Sequence, residues 1–328
     1  MFPDAIDNTM RSSFVVCPTQ YRRAYVEDLS PVGESVHLKA GAAFAAGLEE
    51  ARRAFYEQGQ PADIAVTRGQ LVVEEEYGDF QPPEGSPKTK ANMVEALAYY
   101  FDCWPLAHDT FIPRRMEWRF KVPIPNLVHP DHGGPIYYTG RPDTIGTIGG
   151  DVVAVQDDKT AGSLGRSWAD QWELDSQFTG YQWAAQEAGE VPKGGTGAVL
   201  IRGVSILKPK YEEVEDPAGD IVKLTGRGKA KVETHFRSQY LRNESFGHSQ
   251  VLVYRPQWMI DRWLWQLQRD VGRMIRAYLN GEWDFALHKN ACAAYGGCAY
   301  LLLCKSEHPE SWIPMNYVKR KWDPLAVV

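Results

Sequence analysis

Two short β-branched runs, Thr144 to Ile148 and Val152 to Gln156, face each other across Gly149-Gly150. This hairpin constrains the fold more tightly than any other segment. Side chains alternate across a strand, so its register decides which charged residues share a face. With a three-residue turn of Gly149, Gly150 and Asp151, Ile148 pairs with Val152 and Asp143 pairs with Asp157. A two-residue Gly149-Gly150 turn pairs Asp143 with Gln156 instead. In the first register the two acids stand about 5 Å apart at Cβ. Lys159, two residues beyond Asp157, then projects to the same face.

Two carboxylates that close repel each other unless a cation sits between them. Hard oxygen ligands select Mg²⁺ or Mn²⁺, which keep water ligands and take phosphate oxygens readily. Such an ion lowers the pKa of bound water and stabilises charge on a phosphoryl group. A neighbouring lysine orients the nucleophile or neutralises that charge. The competing reading is a hairpin with ordinary surface charges, because Asp-x-Lys is a short and frequent pattern.

The rest of the chain frames this hairpin. Helices are expected from Cys17-Pro18 to about Asp28, from about Lys39 to Gln58, and from about Lys90 to Trp104. Residues 60–90 hold four prolines and three glycines and predict a loop-rich connection. Met116, Trp118, Phe120 and Val122 alternate with Glu117, Arg119 and Lys121, a half-buried strand. Further strands are predicted at Ile136 to Thr139 and Ala198 to Leu207, and helices at Trp168 to Ala188 and Trp258 to Leu279. Met1 to Arg11 carries no assignable element. Helices, a meander of strands, a helix, a strand and a helix, in that order, predict an α/β fold with a mixed sheet.

Gly140-Arg141-Pro142-Asp143, the glycine hairpin and Asp157-Asp158-Lys159-Thr160 together resemble the core of the PD-(D/E)XK nucleases, in their RecB-like branch. That branch carries Gln-x-x-x-Tyr on the next helix, matched here by Gln177 and Tyr181, four apart and so on one helix face. The resemblance implies a restriction-endonuclease-like core in which a central sheet is flanked by helices. It implies Asp143 and Asp157 as metal ligands, with the backbone carbonyl of Asp158 as a third. Lys159 becomes the catalytic lysine, and the Asp158 side chain points away. Gln177 and Tyr181 lie beside the metal and the DNA, and Glu117 stands where many members place an additional carboxylate. The early helix departs from the pattern. RecB-like members often carry a metal-binding histidine there, and Gly41-Ala-Ala-Phe-Ala45 has Ala45 in its place, with Glu49 one turn on.

Five cysteines are unevenly placed. Cys103 lies alone in an apolar stretch and predicts a buried thiol. Cys292, Cys298 and Cys304 cluster near the end with five residues in each gap, and Cys17 lies near the start. The set resembles the iron–sulfur-bearing members of the same branch, where one early and three late cysteines hold a 4Fe–4S cluster that staples the chain's ends. The alternatives are a Cys₄ zinc site, which usually prefers gaps of two to four residues, and plain thiols.

One domain over residues 1–328 is expected, with a core of about 91–207, an insertion at 209–250, and Cys17 with 283–304 as the cysteine region. The net charge of −6 excludes a protein that coats nucleic acid with its whole surface. Two local basic tracts remain as phosphate contacts: Arg262, Arg269, Arg273 and Arg276, and the stretch Lys223, Arg227, Lys229, Lys231, Arg237 and Arg242. No run reaches the ~18 apolar residues of a spanning helix, and no export signal stands at the start, so a cytoplasmic protein of a bacterium or phage-infected cell is expected. The reading is a Mg²⁺- or Mn²⁺-dependent DNase, an exonuclease on DNA ends or single strands, serving recombination, repair or phage DNA processing beside a helicase or recombinase. The rivals are a non-catalytic DNA-end-binding module and an iron–sulfur accessory subunit of a helicase.

Overall fold

Gly149 and Gly150, at φ +59° and +91°, let the chain reverse through Gly149, Gly150 and Asp151. Ile148 therefore pairs with Val152 and Thr144 with Gln156, and one further step sets Asp143 against Asp157. The longer turn is the one adopted. The computed structural model describes residues 1–194, 196–206, 211–215, 221–225, 246–283, 289–293 and 297–325. The side chains of 211–215 and 221–225, and with them the basic stretch Lys223 to Arg242, lie outside that description.

In chain order the described elements begin with β1 (Ala5–Ile6), α1 (Asn8–Val16), α2 (Pro18–Tyr21), β2 (Leu29–Pro31) and α3 (Val36–Arg52). Next come α4 (Ala62–Tyr77), α5 (Lys90–Cys103), β3 (Phe111–Met116), β4 (Phe120–Val128), β5 (Pro135–Gly140), β6 (Thr144–Ile148) and β7 (Val152–Ala161). They continue with α6 (Arg166–Asp170), α7 (Ser176–Glu187), β8 (Gly197–Ile206), β9 (Tyr211–Glu215), β10 (Ile221–Thr225), β11 (Phe246–Arg255) and α8 (Gln257–Asn280). Toward the end lie α9 (Lys289–Cys292), α10 (Leu301–Cys304) and β12 (Tyr317–Lys319). The central sheet has the order β11-β8-β7-β6-β3, with β7 and β8 parallel and its other pairs antiparallel, the mixed sheet expected. A smaller sheet, β1-β5-β4, adjoins it.

Period-two alternation sorts β7 into two faces. Val155 belongs to the apolar core shared with Phe178, Tyr181 and Trp183 of α7 and with Trp263, Leu267 and Val271 of α8. On the sheet's other face Val204 and Ile206 of β8 pack into the cluster built by α3, α4 and α5. Helices thus cover both faces, and the odd-numbered residues of β7 look toward α7.

Several expected elements differ. The 60–90 connection contains a 16-residue helix, α4, opened by Pro61 and closed at Gly78. Inside it Gly69 lies against Gly47 of α3, so close that a Cβ on Gly69 would stand 2.5 Å from the Gly47 carbonyl oxygen. Gly69→Ala must push α3 from α4, and should cost about 1–3 kcal/mol in urea unfolding. An unchanged midpoint would show that the helices separate freely. The strand expected over Met116 to Val122 is two strands, because Glu117 takes φ +48° and turns the chain between β3 and β4. The helix expected over Trp168 to Ala188 is also two, because the Asp175 carboxylate caps α7 by accepting from the Gln177 and Phe178 N–H groups. The insertion ends earlier than 250, since β11 pairs with β8 from Phe246 onward. The unassigned start contains β1 and α1.

Candidate active site

Asp143, Asp157 and Lys159 meet on the α7 side of the hairpin. Asp157 is 2% exposed, and its carboxylate is ion-paired with the Lys159 ammonium. That ammonium also lies 5.9 Å from the centre of the Phe178 ring. Asp143 is fixed at both ends. Its carboxylate accepts from the Asp158 N–H at 2.7 Å, and its carbonyl accepts from the Glu117 N–H at 2.8 Å.

Desolvation first, and then the charge of Asp157, push the Asp143 carboxyl well above its usual range. Burial raises Asp157 too, against the pull of Lys159. For Lys159, burial opposes the charge, but Asp157 and Asp143 outweigh it and hold the ammonium above its ordinary pKa. Ionised together, the two acids carry more negative charge than the one ammonium balances, an excess that a divalent cation would offset. The carboxylate oxygens of Asp143 and Asp157 are hard donors of the kind that fit Mg²⁺ or Mn²⁺.

Asp158 points to the opposite face, as expected. Its carboxylate accepts from Arg52 at 2.7 Å, from the Tyr100 hydroxyl at 2.7 Å and from the Gln156 amide at 3.0 Å. Burial resists ionisation there, but Arg52 and these hydrogen bonds bring the pKa below the usual carboxylate value. Arg52 and Tyr100 escaped sequence reading. A charged residue at the end of a helix reads as a solvated one, and no spacing rule links position 52 to 158.

Glu117 reaches the site by a different route from the one its sequence pattern implied. It is not a strand residue with an outward side chain. The left-handed turn places it against Arg141 at 2.8 Å, with its side chain 15% exposed. Burial raises its pKa to about 7, Arg141 opposing and Glu49 adding to the rise. A cavity of about 10 Å³, enough for one water, is lined by Ala45, Glu49, Arg52, Glu117, Asp143 and Asp158, among others. Ala45 thus borders the acidic centre, where the expected histidine would have reached it.

These shifts give a pH dependence. Between the unfolded value of 4.5 and about 7, Glu117 holds its proton in the folded protein and has lost it in the unfolded one. Stability from this group is therefore present below that window and is lost as pH rises through it. A bound divalent ion displaces protons and reverses the penalty. Mn²⁺ should accordingly raise the melting temperature more at pH 8 than at pH 6, measured by scanning fluorimetry. Equal shifts at both values would contradict the coupling.

Gln177 and Tyr181 share one face of α7, and the Gln177 amide donates to the Tyr181 hydroxyl at 2.6 Å. Tyr181 is buried edge-on against Phe120 at 5.8 Å. Burial, with the charge of Asp157 next, holds its phenol well above the usual pKa, so it stays a neutral hydrogen-bonding group.

Segments from early and late in the chain meet directly. β12 pairs with β2, the Tyr300 hydroxyl donates to the Leu29 carbonyl at 2.6 Å, and the Thr19 hydroxyl donates to the Trp283 carbonyl at 3.2 Å. The Cys298 N–H donates to the Cys292 carbonyl at 2.8 Å. Burial raises the Cys298 and Cys304 thiols, and the charges of Cys17 and Cys292 raise them further. Cys17 and Cys292 thus both lie within electrostatic reach of Cys298 and Cys304. Among the described residues, however, no three of them come within 4.8 Å of each other. Cys103 is half-buried beside Tyr99 and apart from the rest.

A second cluster had no sequence signal, because its members are far apart in the chain. Asp4, His129 and His132 bring ligand-type atoms within 4.8 Å. Both imidazoles accept a backbone N–H at Nδ1, from Asp131 and Gly134, and so carry their own proton on Nε2. Those Nε2–H groups are directed at the Phe2 carbonyl and the Asp4 carboxylate, 2.9 Å away in each case. The cluster ties the N-terminal strand to the β4–β5 hairpin, and in these tautomers each imidazole's lone pair is already engaged by a backbone N–H.

A mixed sheet flanked by helices, with two acids and a lysine converging on one strand pair, defines a nuclease-type α/β core. The profile of the PD-(D/E)XK nuclease superfamily matches residues 11–305, and the chain belongs to that superfamily. Comparison with curated proteins returns no match. Membership implies a metal-dependent nuclease, and such nucleases typically use Mg²⁺ or Mn²⁺.

Proposed function

We propose that the chain is a deoxyribonuclease of the RecB-like branch, an exonuclease acting on DNA ends or single strands in recombination, repair or phage DNA processing. One observation carries the reading: Asp143, Asp157 and Lys159 share a face, and burial with mutual repulsion holds both acids short of positive charge. Asp143, Asp157 and the Asp158 carbonyl hold the divalent ion, which supplies an activated water and a Lewis acid when bound. Lys159 orients the attacking water and neutralises charge on the phosphoryl oxygens. Glu117 adds a further carboxylate near Asp143. Gln177 and Tyr181 hold the strand beside the ion with neutral hydrogen bonds.

We further propose that Cys17, Cys292, Cys298 and Cys304 hold a structural 4Fe–4S cluster. The electrostatic influence of Cys17, Cys292 and Cys298 on the Cys304 thiol supports it, as does the pattern of one early and three late cysteines. In this reading the protein works in the cytoplasm beside a helicase or recombinase.

Purified protein, incubated with Mn²⁺ or Mg²⁺ and end-labelled single-stranded or duplex DNA, should release short products from the ends. The Ala45 gap beside the acids favours one rival, a non-catalytic end-binding module. DNA binding without cleavage in either metal would establish that rival. A brown preparation absorbing near 400 nm with stoichiometric iron and sulfide is expected, and should turn colourless in Cys304→Ser. Colourless wild-type protein carrying zinc would remove the cluster.

A further inference from the structure

α8 carries a pattern that the catalytic reading does not use. Its buried residues are Ile260, Trp263, Leu267, Val271 and Met274. At 3.6 residues per turn they define one line along the helix, facing α1 and α7. Trp258, Arg262, Trp265 and Arg269 succeed one another at spacings of four, three and four, and Arg276 follows two turns later. That second line lies opposite the first. Trp258 is 62% exposed and Trp265 is 53% exposed. Large indoles usually find cover in a folded protein, and two on one solvent face signal an absent partner.

The charge on this face identifies that partner. Among the described residues no carboxylate pairs with Arg262, Arg269 or Arg276. Asp270 is turned inward to Arg11 at 2.9 Å, and Asp261 is taken by the Gln257 amide at 2.8 Å. The Arg269 guanidinium lies 4.6 Å from the centre of the Trp265 ring, so cation and aromatic face already form one platform. A chain of net charge −6 thus sets arginines with no carboxylate partner among the described residues beside two exposed indoles. Alternating cations and flat rings match alternating phosphates and bases, and only an unpaired strand presents its bases for stacking. A duplex would meet the arginines and leave both indoles in water.

We propose that the outward face of α8, through Trp258, Arg262, Trp265, Arg269 and Arg276, is a second binding track for single-stranded DNA. From Trp258 to Arg276 the track extends about 27 Å at 1.5 Å per residue. It rests on the nuclease reading for the kind of strand it holds. The track grips the strand without reading its sequence, because stacking and phosphate contacts are tolerant of base identity.

The test is fluorescence anisotropy of the full chain with a labelled oligothymidylate in EDTA, where no cleavage occurs. Trp258→Ala/Trp265→Ala should raise Kd tenfold or more and remove the quenching of intrinsic fluorescence on binding. Arg262→Ala/Arg269→Ala should weaken binding and flatten the slope of log K against log salt by about 1.4, from ~0.7 per phosphate contact on a single strand. Both variants alter exposed positions and should melt with the wild type, which separates loss of the track from loss of the fold. Wild-type affinity and slope in both variants would overturn the proposal. So would wild-type self-association that the variants abolish, since the face would then join two copies. If the protein cleaves nothing with Mn²⁺ yet both variants lose binding, the track stands and the nuclease reading falls. If it cleaves and both variants bind normally, the reverse holds.

Discussion

Asp143→Asn and Lys159→Ala should each reduce metal-dependent DNA cleavage by roughly 10²–10³-fold or more, the scale on which one electrostatic contact to a developing charge contributes. Their effects on stability should have opposite signs. Asp143 is buried beside Asp157, and desolvation with that neighbour's charge raises its pKa. Above its unfolded pKa such a group destabilises the folded state. An asparagine carbonyl still accepts from the Asp158 N–H, so Asp143→Asn removes the repulsion and keeps the hydrogen bond. Melting in EDTA at pH 8 should therefore shift upward, and the further rise produced by Mn²⁺ should disappear. Lys159→Ala leaves two acids with no ammonium between them, and its melting temperature should fall. Activity lost in both and stability moved oppositely is the mark of a site strained for an ion. Cleavage that survives either change would end the assignment of these residues.

The hairpin was legible because two local rules determine it. β-branched alternation sets the faces, and a pair of glycines with positive φ sets the register. Once the longer turn is chosen, Asp143, Asp157 and Lys159 share a face by those rules, and the resemblance added the opposite facing of Asp158. α7 and α8 were legible for the same kind of reason, since Gln177–Tyr181 and the Ile260–Met274 line obey one helical period. Failures came where a tertiary contact overrides a local signal. Gly69 reads as a breaker, yet it lies inside α4 because α3 must approach it closely. Glu117 reads as a link in an unbroken strand. It adopts a left-handed conformation that favours glycine, held by its N–H bond to the Asp143 carbonyl. Asp4 and His129 meet across more than a hundred residues, which no periodicity reports. Arg52 is the most consequential of these omissions, because it touches the strand that carries the site.

Arg52→Ala should cost about 3–5 kcal/mol, the usual result of stripping one partner from a buried ion pair. The Arg52 side chain is 6% exposed and that of Asp158 is 1% exposed, so the remaining carboxylate would find little water. The Tyr100 hydroxyl loses its donor from Arg52 at 2.7 Å at the same time, and the Gln156 amide remains bonded to a carboxylate with no counter-charge. Urea unfolding should show a large fall in midpoint with little change in slope. The damage should come from the orphaned charge more than from lost attraction, because desolvation largely offsets the attraction in such pairs. Arg52→Met/Asp158→Leu, which removes both charges and keeps the volume, should therefore regain more than half of the loss. The Asp158 carboxylate lies on the face away from Asp157 and Lys159, while the N–H at that position still holds the Asp143 carboxylate. The double variant should consequently keep most of the cleavage rate that Arg52→Ala loses through unfolding. If the double variant is no more stable than Arg52→Ala, the pair supports the strand by direct attraction, and burial of the charge is not the cause of the loss.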